Sequence, residues 1–226
     1  MTTSAPDRAL ALRALAERAA RLVQPGRRAL LGITGAPGAG KTTLARQLVD
    51  LLAASPPAGC QAGEWVAHVP MDGYHLADVE LARLGRAGRK GAPDTFDAAG
   101  YAALLERLRQ TSGSDVVYAP AFDRELEQPV AGSIPVGPAC RLVISEGNYL
   151  LLEQEPWPRV HACFDEVWFC ELADDERRRR LVERHIRFGK NPSAADLWVS
   201  ETDEPNAQLV QRHRDLADLR IRTDLT

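Results

Sequence analysis

Short apolar runs alternate along the chain with stretches of helical periodicity, and this alternation predicts the fold. Strands are predicted in four apolar runs and one closing segment, at 29–34, 65–69, 141–145, 166–170 and 219–222. Helices are predicted at 7–23, 41–54, 98–110, 174–188, 194–200 and 204–214. Strands that alternate with helices favour a parallel sheet with helices on both faces. We therefore expect an α/β fold with a doubly wound, mostly parallel five-stranded sheet.

The remaining stretches have a weaker pattern. Residues 76–96 are rich in glycine and arginine and are expected to cross the surface. A short strand is possible at 115–118, and 119–138 is predicted as a loop because prolines interrupt it. The chain contains no internal repeat and no second domain boundary. We therefore expect a single domain over residues 1–226 that opens with the helix at 7–23.

Composition and charge exclude several classes of protein. Hydrophobic residues make up 45% and charged residues 26% of the 226 residues, the balance of a globular protein. The net charge of −3 gives no general attraction to nucleic acid or to an anionic membrane. No apolar stretch is long enough to cross a bilayer, and charged residues interrupt the N-terminal segment where a signal peptide needs an apolar run. The four cysteines form no CxxC pair, so reduced thiols in a cytoplasmic protein are expected.

Residues 35–42 match the phosphate-binding motif G-x-x-x-x-G-K-[ST], between a predicted strand and a predicted helix. The glycines let backbone N–H groups turn toward an anion, and the helix N-terminus adds its positive end. Lys41 is expected to reach the β- and γ-phosphates of ATP, and the Thr42 hydroxyl to ligate Mg²⁺. A glycine-rich turn that happens to contain a lysine is the alternative, which the spacing and context disfavour. The predicted nucleotide-binding residues are Gly35, Ala36, Pro37, Gly38, Ala39, Gly40, Lys41, Thr42 and Thr43.

Asp72 comes directly after the second predicted strand. Because the carboxyl ends of parallel strands face the ligand crevice of an open sheet, its carboxylate could accept a proton from a hydroxyl that attacks the γ-phosphate. An aspartate that forms a turn before Gly73 is the alternative. The neighbouring Tyr74 and His75 favour the catalytic role, since they add hydrogen-bonding groups where an alcohol substrate would lie.

Glu146 ends the third apolar run and precedes Gly147. An acidic residue at the end of a buried strand is typical of the Walker-B arrangement, which holds Mg²⁺ directly or through water. The usual residue there is aspartate, so a role through water or toward the substrate is equally consistent with the glutamate. A cap or turn residue is the alternative, and the position at the strand end favours function.

Basic residues gather in the predicted helix at 174–188. Arg177, Arg180, Arg184 and Arg187 recur at spacings of three and four, so they share one helical face. Such a stripe would suit a lid that clamps the charge of a phosphoryl group in transfer. A solvated helix in which acidic residues pair with these arginines is the alternative. The helix lacks interleaved aromatic residues for base stacking, which argues against nucleic-acid binding.

Taken together, these segments resemble the phosphoribulokinase and uridine kinase family of P-loop kinases, which includes bacterial pantothenate kinase. The likeness runs in order over most of the chain, through 35–42, 71–75, 90–97, 145–150 and the arginine-rich helix. Within the family, the chain is most similar to a branch of nucleoside-kinase-like and fructose-transport-system-kinase-like proteins, through 91–97, 121–124 and 203–207.

The resemblance implies a P-loop NTPase fold that binds ATP and Mg²⁺, with an arginine-rich lid over about 174–192. It implies that Asp72 is the catalytic base and that Glu146 supports the metal or the base. It also implies acceptor contacts from Tyr74, His75 and Arg124. One position departs from the family: uridine kinases carry an aspartate that grips the ribose diol two residues before the proline of this segment, where this chain has Gly91.

The expected activity is ATP-dependent transfer of the γ-phosphate to a hydroxyl of a small metabolite, either nucleoside-like or sugar-like. Two alternatives stay open: a pantothenate kinase-like activity, and a nucleotide-dependent switch or regulatory ATPase. A small-molecule acceptor is the expected partner, without nucleic acid or membrane. A homodimer is left open, since neither a heptad repeat nor a large apolar surface stripe is legible.

Overall fold

A computed structural model describes residues 5–110 and 115–224 of the protein. Its strands are β1 (Ala29–Gly35), β2 (Val66–His68), β3 (Val117–Asp123), β4 (Gln128–Val136), β5 (Leu142–Glu146), β6 (Glu166–Glu171) and β7 (Leu219–Arg222). Its α-helices are α1 (Ala5–Ala20), α2 (Lys41–Ala54), α3 (Asp78–Arg83), α4 (Ala98–Gln110), α5 (Trp157–His161), α6 (Asp174–Arg187), α7 (Pro192–Trp198) and α8 (Glu204–Gln211). Single 3₁₀ turns lie at Met71–Tyr74, Ala87–Arg89, Pro93–Thr95 and Arg214–Leu216, and Val199–Asp203 is π-helical.

Five strands form one parallel sheet in the order β2-β5-β1-β6-β7. The expected α/β fold with a five-stranded, parallel sheet is therefore confirmed. Because β5 lies between β2 and β1, the segments that follow these three strands are neighbours at the carboxyl edge of the sheet. Those segments are the phosphate-binding motif after β1, the Asp72 turn after β2, and Glu146 at the end of β5.

Hydrophobic cores cover both faces of the sheet. All seven residues of β1 are buried, and successive side chains point to opposite faces. Leu30 packs in the core beneath α4, whereas Leu31 packs in the core beneath α1 and α2. This two-sided burial explains why the strands appear in the sequence as continuous apolar runs instead of alternating ones.

The predicted loop at 119–138 is wrong, because most of it forms the antiparallel hairpin of β3 and β4. Prolines are tolerated in this isolated two-stranded ribbon since it has two free edges. Pro120 lies at a register shift in β3, and Pro129 and Pro135 lie in β4. The sequence pattern also missed α3 within 76–96 and the short helix α5.

The other helices follow the prediction closely. Helix α4 has the predicted bounds, and α1 ends three residues before the predicted end of the helix at 7–23. No helix among the described residues is both long and apolar enough to cross a bilayer.

Candidate functional site

The phosphate-binding motif forms a tight loop between β1 and α2. Gly35, Gly38 and Gly40 all have positive φ, at 146°, 81° and 89°. A Cβ atom on Gly35 would lie 2.6 Å from the carbonyl oxygen of Cys170, and one on Gly38 would lie 2.9 Å from that of Arg177. Glycine is therefore required by both conformation and space. A loop of this shape, at the N-terminus of a helix, fits a phosphate chain such as that of ATP.

Lys41 lies buried at the start of α2, with its ammonium folded back over the loop. Its Nζ donates hydrogen bonds to the carbonyl oxygens of Gly35 at 3.0 Å and Ala36 at 3.1 Å. Burial lowers the pKa of Lys41, and the nearby carboxylate of Glu146 opposes that shift. The lysine is thus held beside the loop by hydrogen bonds that a phosphate oxygen could replace.

Thr42 and Glu146, the two predicted metal residues, are in direct contact. The Thr42 hydroxyl donates to Oε1 of Glu146 at 2.8 Å. Burial raises the pKa of Glu146, and the negative charge of Asp72 raises it further. No cluster of three or more histidine, cysteine or acidic residues able to hold a metal occurs in the described ranges. The pair instead fits Mg²⁺, which keeps several waters and takes phosphate oxygens beside one or two protein oxygens.

Asp72 lies in the 3₁₀ turn that follows β2, and its side chain is partly exposed. Its Oδ2 accepts a hydrogen bond from Nη2 of Arg124 at 2.7 Å. Gly73 packs against the carbonyl of Pro120, so closely that any side chain there would clash. The turn is therefore fixed against the β3–β4 hairpin, and it directs the Asp72 carboxylate toward the carboxyl edge of the sheet.

Of the other predicted acceptor residues, His75 packs among aromatic rings. It lies 4.0 Å from Phe96 and 4.7 Å from Phe122 between ring centroids. Its Nδ1 donates to the backbone carbonyl of Asp72 at 2.8 Å, and burial lowers its pKa. A histidine held in this way supports the turn and contributes a neutral aromatic wall.

Tyr74 packs against Tyr101, at 5.2 Å between ring centroids. Burial, together with the nearby Asp97, raises the pKa of Tyr74 to about 12. The phenol therefore stays protonated and can act as a neutral hydrogen-bond donor.

The four predicted lid arginines of α6 have different surroundings. Arg177 is buried, and it donates to Glu204 and, at 3.4 Å, to the carbonyl of Pro37 in the phosphate loop. Arg180 pairs with Glu176 at 2.7 Å, as the solvated-helix alternative expects, and Arg187 is exposed. The arginines grouped by spacing thus differ in their contacts: Arg177 is buried, Arg180 forms a surface ion pair, and Arg187 is exposed.

Arg184 differs from the other three. Its side chain is half-buried, and its guanidinium forms no hydrogen bond or ion pair within the described part of the chain. Burial lowers the pKa of Arg184, and its charge is close enough to Asp72, Glu146 and Lys41 to interact with all three. Among the described lid arginines, this one has its charge directed at the site.

Several residues of the site were missed by sequence reasoning. His68 lies on β2, and its Nε2 is buried without a hydrogen-bond partner among the described residues, 3.9 Å from Oε1 of Glu146. Lys90 lies 5.4 Å above the Phe122 ring, and Tyr149 donates to the carbonyl of Gly91. Only the family-like segment 90–97 could have indicated this loop, because the contacts join distant parts of the chain.

The sequence and the structure of the chain were compared with those of known proteins. No protein-family model matches the chain. A protein of Aspergillus versicolor named ATP-dependent kinase-like protein notR' is 39% identical over 152 residues, which are 64% of this chain and 88% of that protein. A protein of Schizosaccharomyces pombe named as a candidate uridine kinase is 34% identical over 77% of this chain and 74% of that protein.

A solved structure from Silicibacter, named for a proposed kinase of a fructose transport system, matches with a TM-score of 0.82 and 36% identity. The match covers 93% of this chain and 98% of that one. The relatives are thus named as kinases, which supports ATP-dependent phosphoryl transfer as the general activity. By sequence and by fold, the chain belongs to the uridine kinase and phosphoribulokinase-like family of P-loop kinases.

Proposed function

We propose that the protein transfers the γ-phosphate of ATP to a hydroxyl group of a small metabolite, within a single domain whose lid is the segment 174–192. The observation that carries this proposal is the meeting of Asp72, Glu146 and Lys41 at the carboxyl edge of the sheet. The charges of all three interact, since Asp72 raises the pKa of Glu146, and both carboxylates oppose the lowering of the Lys41 pKa. A phosphate cradle alone would need no carboxylate in the position of Asp72.

On the nucleotide side, the N–H groups of the loop and the ammonium of Lys41 bind the phosphates. Thr42 and Glu146 would hold Mg²⁺, which when bound would offset the negative charge of the phosphates. Arg184 supplies a further positive charge from the lid, where its guanidinium can approach the transferring group. Together these residues orient the phosphate chain and stabilise charge in the transition state.

On the acceptor side, Asp72 receives the proton of the attacking hydroxyl. The acceptor oxygen forms a bond to the γ-phosphorus while the bond from that phosphorus to the bridging oxygen breaks, and its electron pair leaves with ADP. Tyr74, His75 and Arg124 surround the position of the acceptor. Closure of the lid would exclude water, which would otherwise compete as the acceptor.

The proposal is tested by ATP consumption with Mg²⁺ against ribonucleosides, hexoses, pentoses and pantothenate, with the mass of each product determined. We expect one acceptor to give a saturable phosphorylated product, and Arg184→Met to reduce turnover roughly 100-fold by removing a charge from the transition state. Arg179→Met is the matched control, since Arg179 is exposed and, among the described residues, pairs only with Glu176 and Glu183. Hydrolysis that no acceptor changes would instead favour a nucleotide-dependent switch.

A further inference from the structure

Arg124 has an unusual position for a half-exposed arginine. It follows β3 directly, and its Nη2 donates to Oδ2 of Asp72 at 2.7 Å. This is the single hydrogen bond or ion pair that the guanidinium makes within residues 5–110 and 115–224. A guanidinium carries five N–H donors in a planar fork, so most of its donor capacity is open beside the predicted base.

The guanidinium is also held in place from below. Its central carbon lies 5.0 Å above the Phe122 ring, which in turn packs against His75. The hairpin that carries both residues is fixed to the Asp72 turn by the contact between Gly73 and Pro120. Arg124 is therefore oriented before any ligand binds, which lowers the entropic cost of using it for recognition.

The proposed reaction changes the charge next to Arg124. When Asp72 accepts the proton of the acceptor hydroxyl, its carboxylate becomes neutral, and Arg124 loses its partner. Lys90 cannot compensate because it is also a cation, and it pairs with Asp78 at 2.6 Å. Arg184 is another cation whose charge interacts with that of Arg124. A second anion next to Arg124 would balance the site throughout the transfer.

We propose that Arg124 binds an acidic group of the acceptor itself, either a carboxylate or a phosphate ester, while the hydroxyl to be phosphorylated lies at Asp72. This inference rests on the proposed kinase activity with Asp72 as the base. Because one guanidinium contacts both the base and the acid, the hydroxyl and the acidic group are separated by only a few bonds. The substrate class is thus a short hydroxy acid or a phosphate ester of a small polyol.

The test compares acids with uncharged molecules of the same skeleton. Glycerate and glycerol 3-phosphate are compared with glycerol, and gluconate and glucose 6-phosphate with glucose. For the wild type, we expect an acidic member to be phosphorylated with a KM roughly 10- to 100-fold below that of its uncharged partner, the usual value of a charged hydrogen bond. The carboxylate and phosphate members separate the two sources of the anion.

Variants then assign the effect to Arg124. We expect Arg124→Gln to abolish the preference, so that the ratio of kcat/KM for the acid to kcat/KM for its uncharged partner falls roughly 10- to 100-fold. Arg124→Lys, which keeps the charge, should give an intermediate ratio. Arg159→Gln is the matched control, because Arg159 is an exposed arginine paired with Glu106 at 3.2 Å. If both acceptors lost turnover equally and the ratio stayed at its wild-type value, the proposal would be overturned, since Arg124 would then only orient Asp72.

The outcomes distinguish this inference from the kinase proposal. Product from uncharged acceptors alone would retain the kinase and remove the acidic acceptor. If no compound yields a phosphorylated product, the kinase proposal fails on this panel, and thermal stabilisation by the same acids, with Mg²⁺ and a non-hydrolysable ATP analogue, decides the role of Arg124. Stabilisation by an acid that is lost in Arg124→Gln supports acid binding, and its absence overturns it.

Discussion

The phosphate side and the acceptor side of the site lie on either side of β5 and differ in how they are built. The phosphate loop is mostly buried, and its backbone packs against Cys170 and Arg177, so it is part of the hydrophobic core. The acceptor side, with Asp72 and Arg124, is partly exposed and is assembled from a turn and a hairpin. Changes to the packed backbone and buried pairs of the phosphate side should therefore cost stability, whereas changes to the side chains of Asp72 and Arg124 should mainly cost activity.

The largest expected effect belongs to the acceptor side. Asp72→Asn should lower kcat by roughly 100- to 10,000-fold, the usual contribution of a general base. Asparagine has the same shape and can still accept a hydrogen bond from Arg124, so ATP affinity and thermal stability should stay near wild type. Steady-state kinetics and nucleotide binding measure the two quantities, with the exposed Asp196→Asn as control. Near-normal turnover in Asp72→Asn would remove this residue as the base.

On the phosphate side, a buried and an exposed arginine share one partner. Arg177 is buried against Glu204, whereas Arg178 is exposed and lies 3.2 Å from the same carboxylate. Arg177→Met should lower the free energy of unfolding by about 3 kcal/mol, because it leaves Glu204 without its buried partner. Arg178→Met should cost less than about 1 kcal/mol. Urea denaturation measures both, and equal losses would contradict the distinction between buried and exposed pairs.

Two glycines distinguish the effect of backbone conformation on stability from the effect of packing. Gly38 and Gly59 share a φ of 81°, but only Gly38 has close neighbours: a Cβ there would lie 2.9 Å from Leu181 and from the Arg177 carbonyl. Gly38→Ala should therefore cost about 2 kcal/mol more than Gly59→Ala, because the neighbours must move. If both variants lost the same free energy of unfolding, the phosphate loop would be less tightly packed than the structure indicates.

The smallest effect concerns His68, which lies on β2 beside Glu146, at the boundary between the two sides. Burial lowers the pKa of His68 from 6.5 to about 4. Between these values the unfolded chain binds a proton that the folded chain does not. The stabilisation is thus fully present above about pH 6.5 and is lost progressively as the pH falls toward about 4.

We expect the wild type to lose about 1 kcal/mol more unfolding free energy than His68→Gln between pH 7.5 and pH 5.5. Urea denaturation at the two pH values gives this difference, and His161→Gln, on helix α5, is the control that should behave as wild type. An identical pH dependence in His68→Gln and wild type would show that His68 titrates normally in the folded protein.

The sequence predicted the sheet because local patterns determine it. The central strands β1, β5 and β6 are short runs that are buried on both faces, and the phosphate motif is fixed by glycine spacing within eight residues. The α/β fold and the kinase family are therefore confirmed. The roles of Asp72, Glu146 and the lid arginines stay predictions, although the structure brings Asp72, Glu146 and Lys41 close enough for their charges to interact.

The acceptor side could not be predicted in the same way, because its contacts span long distances in the chain. Arg124 contacts Asp72 although the two residues are 52 positions apart in the chain. It does so from the β3–β4 hairpin, which was predicted as a loop because prolines interrupt it. The periodicity of α6 groups its arginines by spacing alone. It could not reveal that Arg177 is buried, since its partner Glu204 comes 27 positions later.

The carbonyl of Gly91 connects the segment 90–97 to the C-terminal helices. It accepts a hydrogen bond from Tyr149, and the amide of Asn206 on α8 approaches it at 3.5 Å. Helix α8 also carries Glu204, the partner of Arg177 on α6. If ATP moved α6, the contacts through α8 would transmit that movement to Gly91. By thermodynamic reciprocity, the factor by which ATP changes acceptor affinity must equal the factor by which the acceptor changes ATP affinity.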